Sequence, residues 1–566
     1  MNRFCSRFSA ALALSALPWF VSAAPAEEKS TMTERARQFV AQHEAKLRPL
    51  EIAANIAWWD ANVSGKDEDF ARKEEAQNRI NAALADKKAF EEVMELYKNR
   101  RQIEDSLMSR CIEVLHLTYL EKQVDAELLK QIVAKSNAVE KAFNVYRAKV
   151  DGKEVADSEV RRILKTSKDS ARRQEVWESS KGVGAVVEKD LKELVKLRNL
   201  AAAQLGFDSY HQLMLHLNEQ NGPELMKLFD ELDELTREPF RQAKQEIDAK
   251  LAADCGVSVA ELRPWHYHDP FFQESPAVFA VSLDAPYAKA DHLDICRRFY
   301  DGIGLPIDDV IARSDLYEKP GKSPHAFCTD IDRAGDVRVL ANIVPNEYWM
   351  GTMLHELGHA VYSSKNMPKT IPYTLRDAAH ILTTEGVAMM FERWSKNRPW
   401  MEQMGLKVEN PQAFDETAAK VQRNQLLIFS RWCQVMLRFE KSMYEDPDQD
   451  LNKLWWDLVE KYQEVKRPEG RDAPDYASKI HVVSAPVYYH NYMMGQLFAS
   501  QLHHAIARDV LKTSPDKSLY IGDKRVGHFM KEKVFEPGRK LSWNDLTKFA
   551  TGSELNAKAF AADFKQ

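Results

Sequence analysis

His355 and His359 stand four positions apart in the stretch HELGH, with Glu356 directly after the first. On a helix, residues four apart share one face, so both imidazoles point the same way and can hold one tetrahedral ion. Glu356 lies about 100° round such a helix, placed to hold a water beside the ion rather than the ion itself. Two binding histidines and a glutamate acting as general base are the chemistry of HExxH zinc hydrolases. A five-residue pattern with two free positions also arises by chance on solvated helices, so a third ligand decides. Glu385 follows in TTEG, and a turn through Pro368 and Pro372 brings its helix back towards the histidines. His380 and Glu392 are rivals for the same place, with Glu385 ahead of both. Two histidines and one glutamate leave a fourth position for water, which marks a catalytic site rather than a closed structural one.

Those residues need helices to hold them. From Met32 to about Leu262 an apolar residue recurs every three or four positions, which predicts helix after helix. Two strand-forming runs flank RAGD within His325 to Val344 and predict a hairpin. Helices then resume almost to the end. The expected fold is mainly α, with one small β-hairpin beside the HExxH helix. On that helix Met350, Leu354, Leu357 and Val361 form a core face, and Gly358 admits a close neighbour.

The chain has 566 residues, 44% hydrophobic and 29% charged, an ordinary balance for a globular protein with a real core. With 79 basic against 85 acidic residues and no basic block, nucleic-acid binding is set aside. Arg3 and Arg7 precede the apolar run ALALSALPWFV, followed by Val21, Ala23 and Ala24 before a polar stretch. That order predicts a secretory signal peptide over residues 1–24 and one catalytic domain over 25–566. The apolar run is too short to span a bilayer comfortably, so stable membrane insertion is not expected. The expected address is the periplasm of a Gram-negative bacterium. Cys111, Cys255, Cys296, Cys328 and Cys433 would remain after cleavage, enough for two disulfides at most.

The order of AWWDANVSGKDED, PHAFCTDID, HELGH with Glu385, and SKIHVVSAPVYYHNY resembles the angiotensin-converting-enzyme family of zinc peptidases in its single-domain bacterial form. The resemblance implies two helical lobes around a deep cleft, one Zn2+ per chain and oligopeptide substrates cut to release C-terminal dipeptides. It also implies that His325–Ala326 lies on a strand along the substrate. Lys479 would hold the substrate's terminal carboxylate, with Tyr489 beside it. His481 and Tyr492 would face the oxyanion, with Tyr488 as a rival because the match needs a one-residue gap after His481.

Departures from the family are equally specific. The glutamine that shares the substrate carboxylate in animal relatives falls near PWHYHDPFF, at Tyr267 or a histidine. The acidic residue one turn after the third ligand is Met389, so a metal histidine must find its partner elsewhere. The arginines that bind activating chloride in those relatives are Asn491 and Val459, and a family cysteine is Pro324. A thimet-oligopeptidase-like enzyme cutting inside short peptides is the alternative activity. A non-enzymatic peptide-binding protein would require a broken metal site.

Overall fold

The computed structural model describes residues 31–278 and 282–564, so the expected signal peptide lies outside the described residues. The chain is mainly α-helical, with two small antiparallel hairpins among the described residues. Local chemistry sets the helix ends. Thr31 Oγ1 accepts the Glu34 amide at the start of helix Met32–Ser64, and Gly65 ends it with φ at 66°. One continuous apolar core runs from Ala36 to Phe560 and encloses the helices that carry the site. No helix among the described residues is long and apolar enough to cross a membrane.

The hairpin expected within His325–Val344 forms, with Phe327–Asp330 pairing antiparallel to Val337–Leu340. Arg333 and Gly335 take positive φ in its turn. The inner strand also makes a bridge from Leu340 to Asp315, so Phe327–Asp330 is the outer strand. Trp58 packs with its ring tilted 4.2 Å from that of Phe327, fastening the first helix to that strand. His325–Ala326, expected on the strand, instead leads into it, because pairing begins only at Phe327.

A second hairpin, Ala148–Val150 with Lys153–Val155, interrupts the region expected to be helix throughout. Asp151 and Gly152 both hold positive φ there. An Asp-Gly pair between strand-compatible residues is a strong hairpin signal, and it outweighs the flanking helical periodicity. All five described cysteines are free.

Three helices build the floor of the site: Glu347–Val361, Ile381–Glu392 and His490–Ile506. Met350, Leu354, Leu357 and Val361 are fully buried on the first, as its periodicity predicts. The three axes come unusually close. A Cβ on Gly358 would sit 2.8 Å from the Cα of Ala388, and one on Gly386 would sit 2.8 Å from the Gly495 carbonyl. Glycine at those positions lets the Glu385 helix lie directly between its two neighbours.

Candidate active site

Asn346 caps the HELGH helix by accepting the Trp349 amide, and His380 caps the Glu385 helix by accepting the Leu382 amide. The packed pair of helices turns His355, His359 and Glu385 towards one point. The two Nε2 atoms lie 3.2 Å apart, and Glu385 Oε2 lies 3.5 Å from His355 Nε2 and 3.9 Å from His359 Nε2. Ligand bonds of roughly 2.0–2.1 Å in a tetrahedron require separations near these.

The far side of each ring is also held. His355 Nδ1 lies 3.0 Å from Glu392 Oε2, and His359 Nδ1 lies 2.7 Å from Thr384 Oγ1. Protons on both Nδ1 atoms leave both Nε2 lone pairs free to bind a metal. The residues therefore fit a single zinc ion. Glu392, three positions past Met389, meets the Nδ1 side of the His355 ring and lies outside the set of converging ligand atoms. His380 caps its helix through Nδ1 and lies outside the converging set of His355, His359 and Glu385.

Glu356 is 7% exposed and lies close to the Cys328 backbone, so it adjoins the outer strand. Burial pushes its carboxyl up to about 7, with Glu385 and Glu392 adding to the shift and His355 opposing it. A carboxylate near neutrality is suited to taking and returning a proton.

Lys479 forms the second centre. Its Nζ lies 2.6 Å from Gln273 Oε1 and 5.3 Å from each of the Phe271, Trp432 and Tyr489 rings. Burial pushes the ammonium down to about 8, although Asp269 draws it back up. The side chain that meets Lys479 is thus Gln273, and not Tyr267 or a histidine of PWHYHDPFF. Tyr267 is turned away, donating to Asp248 and accepting from Lys244. Asp269 shapes the loop that delivers Gln273 by accepting the amides of Phe271, Gln273 and Glu274.

An aromatic chain joins the two centres. The His481 ring is 4.9 Å from Tyr489, and Tyr489 is 5.4 Å from Tyr492. Tyr488 and Tyr492 meet edge to face at 5.2 Å, and both phenols feel the Glu385 charge. Tyr489 instead packs on Phe429 and Trp432 beside Lys479. Burial holds His481 down at about 4, so its ring is neutral, and its buried Nδ1 has no partner. His325 is exposed at the entry to the outer strand.

An HExxH helix, a third carboxylate from the next helix and a mainly helical setting define a metallopeptidase. A sequence profile described as angiotensin-converting enzyme matches residues 30–240 and 287–566, and the chain belongs to that family. The angiotensin-converting enzyme of Theromyzon tessulatum is 23% identical over 286 residues, covering 47% of this chain and 45% of that protein. Carboxypeptidase 1 of Bacillus subtilis is 25% identical over 259 residues, covering 41% of this chain and 50% of that protein. The angiotensin-converting enzyme of Bos taurus is 21% identical over 439 residues, covering 71% and 33% respectively. The chain thus spans half or less of the length of these relatives. Gln273 falls in the stretch between the two matched segments.

Glu392→Ala is expected to weaken zinc affinity by about 10–100-fold, since it releases the His355 ring. Competition with a graded chelator measures this directly. Unchanged retention of zinc would mean that Glu392 does not orient the ligand.

Proposed function

We propose that this protein is a zinc-dependent peptidase that releases dipeptides from the C-terminus of oligopeptides. The observation that carries the reading is Lys479. It is a buried cation whose one hydrogen-bonding partner among the described contacts is the neutral amide of Gln273. A cation kept dry in this way favours an anionic ligand, and a peptide's terminal carboxylate supplies one.

Bound by His355, His359 and Glu385, zinc would polarise the scissile carbonyl and acidify the attacking water. Glu356 takes the proton from that water and later gives it to the leaving amine. The Tyr492 hydroxyl donates to the oxyanion, and neutral His481 adds a second donor through its ring N–H. The outer edge of Phe327–Asp330 holds the peptide backbone in extended form past Glu356. Export to a periplasm is part of the same proposal, resting on Arg3, Arg7 and the apolar run beyond them.

Product analysis on a blocked tripeptide, as free acid and as amide, tests the reading. A free dipeptide from the acid alone supports it. Release of a single residue would point to a carboxypeptidase, the activity named for the Bacillus subtilis relative. Equal cleavage of acid and amide would point to an endopeptidase.

Chloride is expected to leave the rate unchanged. Asn491 is neutral and accepts from Gln220 at 2.7 Å, so the residue before Tyr492 supplies no charge for an anion. Val459 lines a cavity of about 20 Å³ with Lys181, room for about one water. Burial also pushes Lys181 down to about 7, which weakens it as an anion partner at neutral pH. Hydrolysis is to be followed with acetate replacing chloride at fixed ionic strength. Saturable activation of several-fold would overturn the expectation.

A further inference from the structure

Glu440 lies on the long helix Pro411–Glu445 and is 2% exposed. Its Oε1 accepts the backbone amide of Val487 at 2.9 Å. Val487 is itself buried and holds φ at 54°. A β-branched residue takes that left-handed conformation only where its surroundings impose it.

Val487 governs the approach of the tyrosines to the site. It lies in the link between the short helix Ile480–Ser484, which carries His481, and helix His490–Ile506. Tyr488 and Tyr489 come immediately after it. Their carbonyls accept the amides of Asn491 and Tyr492 at 3.0 and 3.3 Å, so both tyrosines belong to the entry turn of the next helix. The torsions at Val487 therefore set the angle at which three phenols enter the site. Nothing in the local sequence favours those torsions, since the Ala485–Pro486–Val487 stretch has no glycine. Remove the Glu440 acceptor and the amide becomes a buried donor without a partner, which is costly.

We propose that Glu440 is a positioning residue for catalysis. By accepting the Val487 amide it locks the left-handed turn that aims Tyr488, Tyr489 and Tyr492 at the substrate. The inference rests on the peptidase reading of those tyrosines and adds the residue that acts through them. Burial also pushes the Glu440 carboxyl up to about 8, opposed by the Val487 amide and Arg198. A neutral group of the same shape and acceptor capacity can therefore replace it.

Hydrogen exchange on the unmodified protein is the first measurement. The Val487 amide should exchange as slowly as amides of the buried helices, although it lies in a link. Fast exchange there overturns the proposal whatever the activity. Kinetics then compare Glu440→Gln, Glu440→Leu and the double variant Glu440→Leu with Val487→Gly, all zinc-loaded and full length. Glu440→Gln should keep the parent kcat. Glu440→Leu should lower kcat by about 10²-fold, the scale of a misplaced catalytic group, with zinc content unchanged. Glycine at 487 adopts positive φ freely and should restore most of that loss. Parent activity in Glu440→Leu overturns the proposal. So does a loss shared with zinc content and melting temperature that glycine does not rescue. If the unmodified protein cleaves no peptide, the peptidase reading fails, while exchange at Val487 still judges the turn.

Discussion

Glu356→Gln should bind zinc as the parent does and hydrolyse peptides about 10²–10⁴-fold more slowly. Its carboxyl is not one of the converging ligands: His355, His359 and Glu385 form that set without it. The side chain instead lies close to the Cys328 backbone, at the strand expected to carry the substrate. A glutamine of the same shape keeps packing but cannot take a proton. Binding of substrate should therefore survive while turnover collapses, so the loss falls on kcat and not on KM. Metal analysis of the purified variant, followed by steady-state kinetics, checks both halves. Parent kcat with a full complement of zinc would remove Glu356 from the chemistry.

Residues whose geometry depends on a single helix were legible in the sequence. His355, Glu356 and His359 follow from the period of the helix alone, and the buried face through Met350 and Leu354 follows from the same period. Glu385 required one turn between helices, and Gly358 and Gly386 supply the close packing that the turn needs. The strands around RAGD were legible from residue type. The Asp151–Gly152 hairpin was equally legible but was masked by helical periodicity on both sides.

Features that were not legible depend on contacts between distant segments. Glu392 was a possible ligand by residue type. Only the structure shows which side of the His355 ring it meets. Gln273 stands 206 positions from Lys479, in a loop shaped by Asp269, and no spacing rule links them. The φ of Val487 is imposed by a carboxyl 47 positions away, against the preference of its own side chain.

Lys479→Ala should cut kcat/KM for free-acid peptides by roughly 10²-fold or more, while C-terminally amidated peptides change little. Truncating one partner of a buried charge pair costs about 2–5 kcal/mol, and every 1.4 kcal/mol is about tenfold. The environment explains why the cost falls on an acid. Phe271, Trp432 and Tyr489 surround the ammonium, so water cannot take its place on the substrate carboxylate. Gln273 offers a neutral amide and cannot replace the charge. The buried ammonium also sets a pH dependence. Burial pushes Lys479 down to about 8, so the free enzyme carries this charge below that pH and loses it above. As kcat/KM reports the free enzyme, its value for acids should fall as pH rises through about 8. Amidated substrates need no cation and should lack that limb. A pH profile of both substrate forms, on the parent and on Lys479→Ala, separates anchor from bystander. Equal losses on acid and amide, with the same profile for each, would show that Lys479 shapes the pocket without holding the carboxylate.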